Sequence, residues 1–186
     1  MATDSEAGLI GFFSVFPTQD KQGFLGALLV TDRQGKPEEF RVTLPIKPTA
    51  VQKMLYGASL NRHVGVQLCG VPLFSALKKH GGLSILVIAD PEWLTLADEI
   101  ECKVVQLAPA GAKLQIDGQT NQASITPASA SFPSLAAQYP SAYSDTDKQK
   151  CTTVLQEYSL YIDLCEPFQR MEKALGVLAG EDQKFR

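Results

Sequence analysis

Three apolar runs packed into the first quarter of the sequence constrain this chain more than any other feature. Leu9–Phe16 is continuously apolar apart from one serine, carries Phe12, Phe13 and Phe16, and stops at Pro17. Phe24–Thr31 follows, again nearly all apolar, with Gly23 and Gly26 placed where they weaken a helix. Glu39–Leu44 alternates, with Phe40, Val42 and Leu44 against Arg41 and Thr43, the pattern of a strand with one wet face. The links are short and polar, and Asp32-Arg33-Gln34-Gly35 ends in a glycine that accepts the positive φ of a tight reversal. Strands joined in this way pair as an antiparallel meander. The expected fold class is therefore α+β, with an antiparallel-led sheet, flanking helices and a long amphipathic C-terminal helix.

After Pro45 and Pro48, a short helix is expected from about Thr49 to Tyr56. Thr49 caps it, Val51, Met54 and Leu55 form its apolar side, and Gly57 ends it. His63–Cys69 alternates in a way that favours a short strand. Pro72 then opens a helix striped by Leu73, Ala76 and Leu77, with Lys78, Lys79 and His80 at its negative end and Gly81 as its stop. Leu83–Ala89 reads as a strand covered on both faces, and Asp90-Pro91 ends it in a helical turn running to about Leu96. Glu101–Leu107 and Lys113–Ile116 read as two further strands about a Pro109-Ala110-Gly111 turn.

Residues 118–144 hold no charged side chain and are dense in Ala, Ser, Pro, Gln and Thr. They read as a connector between a mixed core domain, 1–117, and a helical segment, 145–186, with Ile125, Phe132, Leu135, Tyr139 and Tyr143 able to dock at intervals. In the tail, Cys151, Val154, Tyr158, Tyr161, Cys165 and Phe168 recur at gaps of three and four, an a/d rhythm that Leu155 and Ile162 widen. Pro167 should kink the helix or start a second one. Such a seam is covered by the chain's own sheet or by a partner.

With 45% hydrophobic and 20% charged residues, a chain of this length builds a core without staples. A net charge of −3 argues against a protein devoted to gripping phosphate backbone. The acidic start and the short Leu9–Phe16 run fit neither a secretory signal nor a membrane span, so the expectation is a cytoplasmic protein that does not engage a membrane. The four cysteines, Cys69, Cys102, Cys151 and Cys165, form no C-x-x-C pair and read as buried thiols. A zinc site would have to gather Cys69, Cys102, His63 and His80 from scattered positions. Phosphate-binding glycine loops and a G-x-S-x-G serine elbow do not occur. Nothing in the sequence calls for a cofactor, and no coherent catalytic set stands out. The cations Lys36, Arg41, Lys47 and Lys53, near Phe40 and Tyr56, make only a thin case for nucleic acid, diluted by Glu38 and Glu39.

In its order of elements the chain resembles the ribonuclease-H-like arrangement, a likeness of topology alone. That likeness implies carboxylates at neighbouring strand ends holding a divalent metal, with Asp90, Asp32 and Glu39 as candidates. Against it, the first strand carries no carboxylate where such a site needs its central one. The leading expectation is a non-enzymatic protein acting through protein contacts, as an assembly subunit, adaptor or self-associating chain, through Val154, Tyr158, Tyr161, Cys165 and Phe168. A metal-dependent nuclease relative, active or not, and a small-molecule sensor domain are the alternatives.

Overall fold

Alternation along the first strand divides the core in two. In a computed structural model describing residues 8–78, 82–111, 121–127 and 129–186, β1 (Leu9–Pro17) turns Ile10 and Phe12 to one face and Phe13 to the other, all buried. A strand with both faces apolar has to be covered on both, and helical layers cover each side.

β1 pairs antiparallel with β2 (Phe24–Thr31), which pairs antiparallel with β3 (Pro37–Val42). The meander is as the sequence predicts. Its second turn is closed by the Asp32 carboxylate, which accepts from the amides of Gln34 and Lys36, and by Gly35 at φ 78°. On its other side β1 runs parallel to β4 (Leu83–Ile88), and β4 runs parallel to β5 (Val104–Pro109). Among the described residues the sheet has seven strands, in the order β3-β2-β1-β4-β5-β7-β6.

The last two strands correct the connector reading. β6 (Gln122–Ile125) and β7 (Leu135–Gln138) lie inside 118–144 and pair antiparallel, and β7 also pairs with β5. Ile125, Leu135 and Tyr139 dock in the core as expected. Ala and Ser hide a strand from composition, because small side chains still fit a pleated surface when a helix covers it. The expected strand Lys113–Ile116 lies outside the described residues, as do Lys79, His80 and Gly81.

A second correction concerns His63–Cys69. The chain there is helical: α1 (Ala50–Tyr56), a 3-10 turn, α2 (Leu60–His63), a π-helical stretch Val64–Gly70 and α3 (Val71–Ser75) follow one another. The alternation does not track burial: Val64, Gly65, Val66, Cys69 and Gly70 face inward while Leu68 is exposed, a broad stripe suited to the wider π turn. From Leu60 onward this run, with a 3-10 segment Pro91–Asp98, covers the Phe13 face of the sheet.

α4 (Asp145–Ser159) and α5 (Glu166–Glu181) cover the Ile10 and Phe12 face. The tail is thus two helices rather than one bent helix, and Pro167 sits in the first turn of the second, where its missing N–H costs nothing. No helix among the described residues is long and apolar enough to cross a membrane.

Candidate contact surface

The side chains expected to serve a partner are mostly occupied at home. Tyr158 is buried in the core, and its hydroxyl donates to the carbonyl of Gly8. Val154, Cys165 and Phe168 pack against the same cluster, Phe168 edge-on to Phe12 with ring centroids 5.8 Å apart. Of the five, Tyr161 stays out, 57% exposed. The seam is covered by the chain's own sheet.

The metal candidates do not converge. Asp90 caps the 3-10 segment after β4, accepting from the amide of Glu92 and from Asn61 Nδ2 at 3.1 Å. Ile88 pairs with Phe13, whereas Thr31, just before Asp32, pairs with Ile10. Asp90 and Asp32 therefore stand at opposite ends of the sheet, roughly 20 Å apart along the strand direction. Glu39 lies on the edge strand β3, opposite Val30. Burial pushes its carboxyl upward, but hydrogen bonds from Arg41 and from the Lys78 amide outweigh that and hold it below the ordinary range. Among the described residues no three His, Cys, Asp or Glu side chains are grouped to hold a metal ion. For the scattered zinc set, Cys69 lies under β2, where a Cβ on Gly26 would stand 2.6 Å from the cysteine Cβ, and His80 lies outside the described residues.

The basic cluster is largely paired. Lys36 meets Glu38 at 3.6 Å, Arg41 meets Glu39 at 2.7 Å, and Lys47 meets Asp20 at 2.7 Å. The Lys47 ammonium, with hydrogen bonds from Thr18 and the Gln22 amide, holds the Asp20 carboxyl far below its usual range.

What the sequence did suggest, without its consequence, is α1. Its first turn is closed as expected: Thr49 Oγ1 accepts from the Gln52 amide and Gln52 reaches back to the Thr49 amide, a complete capping box. Gly57, at φ 50°, ends it. Yet α1 buries no residue. Met54 is 84% exposed, Leu55 78% and Val51 64%, and Leu44 just upstream is also exposed. Positions 51, 54 and 55 share one helix face. A seven-residue helix leaving the sheet edge in this way carries an apolar stripe that nothing among the described residues covers.

Beside the stripe, the Tyr56 ring stacks on His63 with centroids 4.5 Å apart and planes at 20°. The two line an open hollow of about 350 Å³ that also involves Arg62, Gln67, Thr95 and Glu99. A second hollow, about 430 Å³, adjoins it on the other side of Arg62, toward Pro91 and Glu92. The carboxylates there are engaged: Glu92 accepts from Asn61 at 2.6 Å and Glu99 from Gln67 at 3.1 Å. Arg62 and Lys53 have no ion pair among the described residues. This surface offers apolar contact on α1, mixed charge from Arg62, Glu92 and Glu99 in the hollows, and no nucleophile–base pair.

No family model and no curated protein matches the chain. Among solved structures, the Argonaute of Marinitoga piezophila, crystallised in complex with a 5' OH guide RNA, is similar at 10% identity and a TM-score of 0.43. The alignment covers 77% of this chain and 25% of that one.

Proposed function

We propose that this chain is a non-enzymatic contact protein, an adaptor or assembly subunit, that docks a partner through α1 rather than through its C-terminal helices. One observation carries the reading: a fully capped helix displays Val51, Met54 and Leu55 to water and buries none of its residues. Each apolar side chain that leaves water at a contact contributes roughly 1.5–3 kcal/mol, so the stripe is worth most when covered. Site-directed photo-cross-linking of the full chain in extract of its native cell tests this, with the reactive group at position 54, 161 or 177. A discrete adduct is expected at 54, lost in the doubly substituted chain Val51→Asp, Leu55→Asp. An adduct formed equally at 161 or 177 would return the contact to the tail and overturn the reading.

The sheet order favours a second reading. Strands β3-β2-β1-β4-β5, with β1, β4 and β5 parallel, follow the ribonuclease-H-like order, and Asp90 stands at the end of β4. The separation of Asp32 and Glu39 from Asp90 weighs against a metal centre there. Calorimetric titration with Mg²⁺ or Mn²⁺ separates the readings, since a nuclease relative requires heat that disappears in Asp90→Asn.

A further inference from the structure

The hollow beside Tyr56 lies where two helical runs meet. Arg62 and His63 end α2, Val66 and Gln67 belong to the π-helical stretch, and Thr95 and Glu99 come from the 3-10 segment and its C-terminal cap. The missing side chain of Gly65 lets that stretch rest on Trp93, since a Cβ there would stand 2.1 Å from Nε1. Close packing of this kind holds the two walls at a fixed spacing. At about 350 Å³ the hollow falls within the range of about 300–1,000 Å³ common for small-molecule sites.

Its lining carries both signs of charge, and the two do not neutralise one another. Among the described residues Arg62 makes no ion pair, and Glu99 accepts from the neutral amide of Gln67, at 3.1 Å through Oε1. A guest with a single charge is drawn to one of these groups and repelled by the other. A guest with ammonium and carboxylate together pairs with both. The stacked Tyr56 and His63 rings, with Val66, supply an apolar wall on which a flat ring gains contact. We infer that this hollow binds a small zwitterion bearing an aromatic ring, of the class of the free aromatic amino acids. Its carboxylate meets the planar fork of Arg62, its ammonium meets Glu99, and its ring lies against the Tyr56–His63 stack. The adjoining hollow offers Arg62 and Glu92 but no aromatic side chain, so it fits such a guest less well. The stripe of Val51, Met54 and Leu55 takes no part in the site.

The test titrates the ¹⁵N-labelled full chain at pH 7 with four probes and follows its amide shifts. L-phenylalanine carries all three groups, 3-phenylpropionate lacks the ammonium, phenethylamine lacks the carboxylate and L-alanine lacks the ring. L-phenylalanine is expected to shift amides within 62–67 and 95–99 and to bind at least tenfold more tightly than each of the others. Arg62→Gln is expected to bring it down to the level of phenethylamine, and Glu99→Gln to the level of 3-phenylpropionate. Both side chains are exposed, so both variants should fold as the parent does. Met54→Asp is expected to leave the titration unchanged, so loss of the docking role of α1 would not touch this inference. Binding of 3-phenylpropionate or phenethylamine as tight as that of L-phenylalanine would overturn the zwitterion, and equal binding of L-alanine would overturn the ring. Shifts that persist in both variants would place the probe elsewhere, and no shift at millimolar L-phenylalanine would remove the site.

Discussion

A Cβ atom placed on Gly65 would stand 2.1 Å from Trp93 Nε1, closer than any side chain tolerates. The π-helical stretch lies directly on the indole, which packs on Phe13 with centroids 5.4 Å apart, so neither partner has room to yield. Gly65→Ala is expected to cost roughly 1–3 kcal/mol as an overpacked core, read as a lower urea midpoint at unchanged slope. Gly176 is its counterpart: it lies within α5, and an added Cβ meets nothing within 4 Å. Gly176→Ala should stabilise the chain by about 0.5–1 kcal/mol, since alanine loses less backbone freedom in a helix. The thiols carry a pH dependence of definite sign. Burial pushes Cys69 and Cys102 up to about 12 and Cys151 and Cys165 up to about 11, from an ordinary value of 9.0. The folded chain holds these protons where the unfolded chain releases them. Their contribution is complete below pH 9 and fades as pH rises toward 11–12. The urea midpoint should fall across that window, and maleimide labelling of the buried Cys69 and Cys151 at pH 8 should proceed at the rate of opening.

Helix ends show how far local sequence reaches. Thr49, Gly57 and the Asp90-Pro91 boundary are legible because a cap is settled by its own few residues. Asp90→Ala is expected to cost roughly 0.5–2 kcal/mol by thermal denaturation, and Asp90→Asn far less, because the amide oxygen still accepts from Glu92 N. Equal losses would show that the charge, not the cap, matters there. At α4, Ser144 and Asp147 form a capping box that also ties the helix to β5, since Lys103 meets Asp147 at 2.8 Å and lies over the Tyr143 ring. Hydrogen bonds from Lys103 and Ser144 hold the Asp147 carboxyl at about 2, so this tie persists above the ordinary 3.8 and is lost as pH falls toward 2. What was not legible depended on distant partners. His63–Cys69 alternates like a strand, and only the indole across from Gly65 explains its helical burial. β6 and β7 hold one branched apolar residue each, Ile125 and Leu135, and owe their place to pairing with one another and, through β7, with β5. The exposed face of α1 had a signal, an apolar stripe inside a run without carboxylates, but stripe and core look alike until the fold shows what lies opposite.

At the scale of the whole molecule, the two ends of the sequence answer differently to removal of apolar groups. α4 and α5 send Leu155, Tyr158, Met171 and Leu175 into the cluster formed by Ile10, Phe12, Leu25, Ala27 and Leu29. Arg170 Nη1 adds a 2.7 Å hydrogen bond to the Gly35 carbonyl, fastening α5 to the meander turn. At roughly 1.5–3 kcal/mol for each buried side chain, those four alone approach the 5–15 kcal/mol of net stability typical of a domain. Their loss would also expose one whole face of a sheet apolar on both sides. Deleting residues 145–186 is therefore expected to abolish cooperative unfolding by circular dichroism and to leave an aggregating chain. A truncated chain that still melts cooperatively would show that these helices lie on the sheet without holding it together. Substituting Val51, Met54 and Leu55 together by Asp removes as many apolar groups as a large core defect, yet none was buried to begin with. The melting temperature should stay within a few degrees of the parent, because surface changes away from packed features usually fall within about 0.5 kcal/mol. A face that can be lost without harm to the fold contributes little to folding, which is what the proposed docking role of α1 requires of it.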